Sequence, residues 1–130
     1  MQEREIEIHD STLDQITLEG STAVLHFTGA YVYPVNDHMN GGWHQEALIR
    51  IGNARIEGEF SEESRAAYGG EHVLADGNFR LNASVHRGTI PLPLDVHGEV
   101  ELVMECWGLE VRIYGDSATL ELVGNARETR

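Results

Sequence analysis

Phe79-Arg80-Leu81-Asn82-Ala83-Ser84-Val85-His86 alternates apolar and polar side chains at every step. Only extended, pleated backbone sorts such a run into one buried and one wet face, because successive strand side chains point to opposite sides. The stretch reads as one strand, and the same period of two recurs outward from it in both directions. Upstream, Asp76-Gly77 suits a type I′ hairpin turn, since both central residues of that turn need positive φ. It would join this strand to His72-Val73-Leu74-Ala75. Downstream, Ile90-Pro91-Leu92-Pro93-Leu94 also alternates. Its prolines cannot donate to a ladder, so it belongs at a sheet edge or in an extended crossing segment.

Toward the N-terminus the pattern marks strands over residues 5–9, 13–18 and 23–28, with Tyr31-Val32-Tyr33 prolonging the third. Asp10-Ser11-Thr12 breaks the first from the second, and Glu19-Gly20-Ser21 turns into the third. Residues 45–51 form another strand, with Ala47, Ile49 and Ile51 on one face. The apolar parity then slips to Ala54, Ile56 and Phe60, which predicts a bulge or tight turn at Gly52-Asn53. Residues 100–107, 109–114 and 118–123 make a C-terminal meander. Gly108 and Gly115-Asp116-Ser117 are its turns, and a polar tail follows. The only helical candidate is residues 61–70. Ser61 suits a cap, Glu62 and Glu63 suit the positive end, and Gly69 suits the stop. The sum is a single all-β domain over residues 1–130. The expected fold is an antiparallel β-sandwich of about nine strands with one short helix, and a closed barrel is the alternative.

Twenty-two acidic residues against nine basic ones give a net charge of −13. That surface repels nucleic-acid phosphate and anionic lipid, so neither nucleic acid nor membrane is an expected partner. The single Cys106 excludes an intrachain disulfide and falls on the apolar parity of its strand, as a buried thiol would. The charged start, Met1-Gln2-Glu3-Arg4-Glu5, has no apolar leader core. A cytoplasmic location is the expectation.

Candidate chemistry centres on residues 31–45. Asp37, His38 and His44 carry ligand types that bind zinc, and His72 is a distant fourth candidate. No paired-histidine strand motif supports them, and no cofactor is expected. Tyr31, Tyr33, Trp43 and Tyr68 are aromatic anchors in or beside this region. With Asp37, Asn40, His44 and Gln45 they could line a small-molecule or peptide site. Trp43 plugging one end of the core is the competing reading. His26 and His86 take the polar parity of their strands, where a histidine is solvated or paired across strands. His97 precedes Gly98 in a turn. Glu57 and Glu59 share a strand face, a spacing compatible with glycosidase carboxylates, but in so acidic a chain such pairs arise as solvated faces. His9-Asp10-Ser11 holds three triad residue types, yet neighbours on a strand cannot relay among themselves.

The opening His9-Asp10-Ser11-x-Leu13-x-x-Ile16-x-Leu18-x-Gly20, followed by Val24-Leu25-His26-Phe27, resembles the start of several small bacterial β-rich families of unknown function. Some immunity proteins of polymorphic toxin systems begin in a similar way. The resemblance covers about the first fifth of the chain and brings no catalytic residues with it. It implies a compact bacterial domain that binds another protein. The functional expectation is thus a non-enzymatic binding or interaction domain with an acidic surface. A small-molecule or carbohydrate-binding sandwich is the alternative, and a metal-dependent enzyme ranks last. The Ile90–Leu94 edge leaves room for a second subunit, and so for a homodimer.

Overall fold

The computed structural model describes residues 4–35, 41–60, 72–106 and 108–128. Its elements in chain order are β1 (Arg4–Glu19), β2 (Thr22–Pro34), β3 (Trp43–Gly52), β4 (Arg55–Glu57), β5 (His72–Val73), β6 (Asp76–Leu81), β7 (Ser84–Arg87), β8 (Thr89–Leu92), β9 (Asp95–Cys106) and β10 (Leu109–Glu128). All pairings are antiparallel, in one sheet ordered β5-β1-β2-β3-β10-β9-β6-β7. β4 lies on β10, and β8 lies on β1 as an edge strand. The sheet is open and strongly curled, a half-barrel.

The all-β expectation holds, but the sandwich and its closed-barrel alternative are both corrected. A sandwich needs strands that stop or change sheets at the corners. Here the long strands run through the corners: β1 has 16 residues, β2 13, β9 12 and β10 20. Irregularities inside the ladders bend them without ending them. Nor does the ladder close, because its path ends at β5 on one side and β7 on the other. Isolated backbone bonds tie β1 to the returning side. The Ile8 N–H donates to the Gly88 carbonyl at 2.9 Å, and the Gly88 N–H donates to the Gly77 carbonyl at 2.9 Å. The helical candidate at residues 61–70 lies outside the described residues, and every described element is a strand.

Several expected turns are bends within strands. Asp10-Ser11-Thr12 does not end a strand. β1 uses five steps from Glu7 to Thr12 where β2 uses two, from Tyr31 to Gly29, and Asp10 takes φ 77° in that bulge. Gly115-Asp116-Ser117 lies inside β10 rather than between two strands. The polar tail is not free of the sheet but paired as far as Glu128, opposite Trp43. His97-Gly98, expected in a turn, is an irregularity of β9, where Asn82 Oδ1 accepts the Glu99 N–H at 3.0 Å.

The opening stretch is itself a hairpin. Leu81 pairs with Ser84 around a two-residue turn, Asn82-Ala83, with Asn82 at φ 52°. The turn reverses the parity, so His86 faces the same side as Phe79, with ring centroids 6.1 Å apart, while Val85 is 52% exposed. Asp76-Gly77 is not the hairpin turn but the start of β6, and β5 pairs with β1 instead.

The expected parity slip at Gly52-Asn53 is real. Asn53 takes φ 48°, and its Nδ2 donates to Asp116 Oδ2 at 2.6 Å. The facing strand slips at the same place: Val111 and Ile113 are buried before it and Ala118 after it. Both strands turn together, so the concave face stays apolar around the corner. That face carries one core, including Ile6, Leu13, Leu25, Phe27, Ile49, Ile51, Phe79, Leu102 and Met104. Cys106 is fully buried there, as expected. Fully burying each large aliphatic contributes about 1.5–3 kcal/mol.

Candidate functional site

The sheet separates the residues expected to form one site. Ile6, Ile8 and Val32 point into the core, so Glu5, Glu7, Tyr31 and Tyr33 lie on the outer face, and His44, opposite Tyr31, lies there too. Tyr31 meets the His44 ring edge-on at 5.1 Å and the Tyr33 ring at 5.9 Å. The Tyr33 hydroxyl donates to Glu5 Oε1 at 2.8 Å. Burial, and secondarily the Glu5 carboxylate, push the Tyr33 phenol well above its ordinary value. His44 Nε2 reaches the Asp10 carbonyl at 3.2 Å, so the β1 bulge meets this aromatic group.

Trp43 and Gln45 take the opposite parity. Trp43 packs partly buried against the core, as the plug reading anticipates, and its Nε1–H donates to Gln45 Oε1 at 3.0 Å. Gln45 Nε2 in turn donates to the Gly124 carbonyl at 3.1 Å. Asp37, His38, Asn40 and Tyr68 lie outside the described residues. His72 stands opposite Leu13 on the concave side, so it and His44 occupy opposite faces. Among the described residues no group of three His, Cys, Asp or Glu side chains is placed to hold a metal ion. Glu57 ends β4, with Arg55 Nη2 3.5 Å from its carboxylate, and Gly58 at φ 84° turns the chain before Glu59. The two glutamates therefore do not share a strand face.

His26 is paired across strands, one of the two outcomes expected for it. Its Nδ1 lies 3.1 Å from Asp14 on β1 and its Nε2 lies 2.6 Å from Glu46 on β3, so one imidazole bridges three strands on the outer face. The hydrogen bond to Glu46 is the largest influence on its pKa. Partial burial opposes it and Asp14 adds to it, and the net effect lies above the ordinary 6.5. A group whose folded pKa is raised stabilises the fold fully below its unfolded pKa, and that contribution is lost as pH rises through the folded value. The bridge is thus strongest between the carboxylate range, about pH 4, and about pH 6.5. His26→Gln is expected to cost about 1 kcal/mol more at pH 5.5 than at pH 9. Urea denaturation at both values checks this. Equal losses at the two pH values would show that the proton adds nothing to the bridge.

The concave side holds a cleft of about 290 Å³, whose described lining is Leu13, Ile16, Ile56, Gly58, Glu59, Phe60, His72 and Val111. These come from β1, β4 and the residues just after it, β5 and β10. The antiparallel pairing of Leu13 with His72 and the slip at Gly52-Asn53 bring them together. The Phe60 ring rests 5.0 Å from that of His72, which is only 7% exposed. Of the described lining side chains, Glu59 and His72 are polar and the others are hydrocarbon. The reading of residues 31–45 missed this cleft. Its one sequence signal was the shifted parity of Ala54, Ile56 and Phe60.

A second hollow, about 370 Å³, has walls that include Asn53, Arg55, Arg80, Tyr114 and Asp116. Several of their polar groups already have partners in the protein. Asn53 bonds Asp116, Arg55 stacks 4.5 Å over the Tyr114 ring, and Arg80 Nη1 donates to the Asn82 carbonyl at 2.7 Å. A ligand there would have to displace these contacts.

Comparison with known proteins returns no match to this chain, whether from family models, curated proteins or solved structures.

Proposed function

We propose that this protein is a non-enzymatic binding module that holds a small, mostly apolar ligand in the cleft on the concave side of the half-barrel. The supporting observation is the hydrocarbon lining: Leu13, Ile16, Ile56, Phe60 and Val111 converge on about 290 Å³. Concave, largely apolar sites with a few polar groups are the usual form of small-molecule sites, and this volume is at their lower limit. The ligand is therefore a short chain or a single ring, not a long acyl chain.

A series of 1-alkanols from propanol to hexanol, followed by nuclear magnetic resonance, tests this. Affinity is expected to rise about fourfold per methylene, from about 0.8 kcal/mol for each one buried. Shifts should concentrate at Leu13, Ile16, Ile56 and Val111. Ile16→Trp or Ile56→Trp should fill the cleft and abolish them while leaving distant resonances in place. Shifts spread evenly over the sheet, or unmoved by either variant, would refute the reading.

A second reading is a basic protein partner on the outer face. The Tyr31–His44 contact and the acidic excess favour it. An arginine-rich peptide should then perturb the resonances of Tyr31 and His44 selectively, whereas charge alone would perturb acidic positions everywhere.

A further inference from the structure

We infer that the ligand of the cleft carries a positive charge: it is a small alkyl- or arylalkyl-ammonium compound. This rests on the cleft being a ligand site, as proposed above, and adds the chemical class of its occupant. Among the described residues the lining contains one carboxylate, Glu59, and no arginine. The whole chain contains no lysine, and its acidic residues outnumber the basic ones by 22 to 9. An anionic head entering the cleft would leave water for a site whose described lining offers no arginine, beside a carboxylate, in the field of an acidic protein. An ammonium head meets the exposed Glu59 while its hydrocarbon part lies on Ile16, Ile56, Phe60 and Val111. Glu59 is solvent-exposed whereas the aliphatic wall is partly or fully buried. Among the described lining residues the negative charge is thus on the exposed one and the hydrocarbon on the partly or fully buried ones, beside the buried His72 ring. Sulfonates and fatty acids of matching size fit the hydrocarbon wall but bring like charge to Glu59.

Three probes with one hydrocarbon tail separate this inference from the reading beneath it: hexylammonium, 1-hexanol and hexanoate. They are titrated into the full chain at about pH 8, above the ordinary imidazole range. Hexylammonium is expected to bind about tenfold tighter than hexanoate, with hexanol between them, since attraction to and repulsion from one exposed charge each contribute a few-fold. Glu59→Gln should shrink the gap to about twofold without weakening hexanol, and added salt should shrink it in the unmodified protein. Ile16→Trp should abolish all three interactions. If hexanol binds and hexylammonium binds no tighter than hexanoate, the cationic class is wrong and the ligand site stands. A preference untouched by Glu59→Gln, or hexylammonium binding that survives Ile16→Trp, is attraction to the acidic surface at large and overturns the inference as well. If none of the three binds, both the inference and the site fall.

Discussion

Gly77→Ala is expected to destabilise the protein by about 3 kcal/mol, among the largest effects of any single methyl group in this fold. Gly77 is buried in β6. A Cβ there would run into the Val103 carbonyl oxygen of the neighbouring strand and would also meet the Ile8 side chain, its Cγ2 at 2.8 Å, from β1. The first obstacle is backbone held in the β6–β9 ladder, where Gly77 pairs with Met104, so it cannot swing aside. The second marks the place where the curl brings β6 back against β1. The Gly77 carbonyl accepts from the Gly88 N–H there, and Gly88 accepts from Ile8. Added bulk therefore strains a ladder and pushes apart the two sides of the half-barrel at once. Gly77→Asn discriminates more sharply. In the two-residue hairpin turn that Asp76-Gly77 suggests by composition, asparagine is tolerated at little cost. In a buried strand position it adds a polar amide to the same collision. Urea denaturation of both variants decides the matter. A loss under about 0.5 kcal/mol for Gly77→Asn would place the residue in a turn and contradict the β6 register.

The same contrast explains what could be read from the sequence. Alternation identified the strand segments and most of the inward residues, because one buried face leaves a mark at every second position. It sorted Ala47, Ile49 and Ile51 correctly, and it located the corner at Gly52-Asn53. It failed where turn-forming residues serve another end. Asp10 at φ 77° and Asn82 at φ 52° have similar backbone conformations, yet one bends a strand and the other reverses the chain. Local conformational preference is the same in both cases, and the pairing partners, far away in sequence, decide between them. The cleft was illegible for a related reason. Leu13 and His72 share a wall only because two residues of β5 pair with β1, and so short an element has no periodicity of its own. Tyr31 and Trp43, by contrast, looked like one aromatic group. The antiparallel register put Trp43 opposite Val32 and His44 opposite Tyr31, so the members went to different faces.

Ser11→Ala is expected to cost about 3 kcal/mol, though it removes a single oxygen. Ser11 is completely buried in the β1 bulge. Its hydroxyl donates to the Glu7 carbonyl at 2.7 Å, and its Oγ accepts the Tyr31 N–H at 3.0 Å. Between Glu7 and Thr12 the β1–β2 ladder is interrupted, so the hydroxyl takes the place of a ladder partner for both groups. Alanine leaves a part-buried donor and a part-buried acceptor behind, each worth about 1–3 kcal/mol when orphaned. The Ser11 carbonyl remains bonded to the Leu74 N–H at 2.9 Å, so the attachment of the Leu74 segment should survive. The defect is therefore local as well as costly. Hydrogen exchange at the Tyr31 amide should accelerate well beyond that of Leu25 or Ile49, which lie farther along the ladder. The bulge also presents the Asp10 carbonyl to His44, so the edge-on Tyr31–His44 contact should loosen and the two ring resonances should shift together. A loss below about 1 kcal/mol with unchanged Tyr31 protection would mean that the bulge is held by its backbone bonds alone.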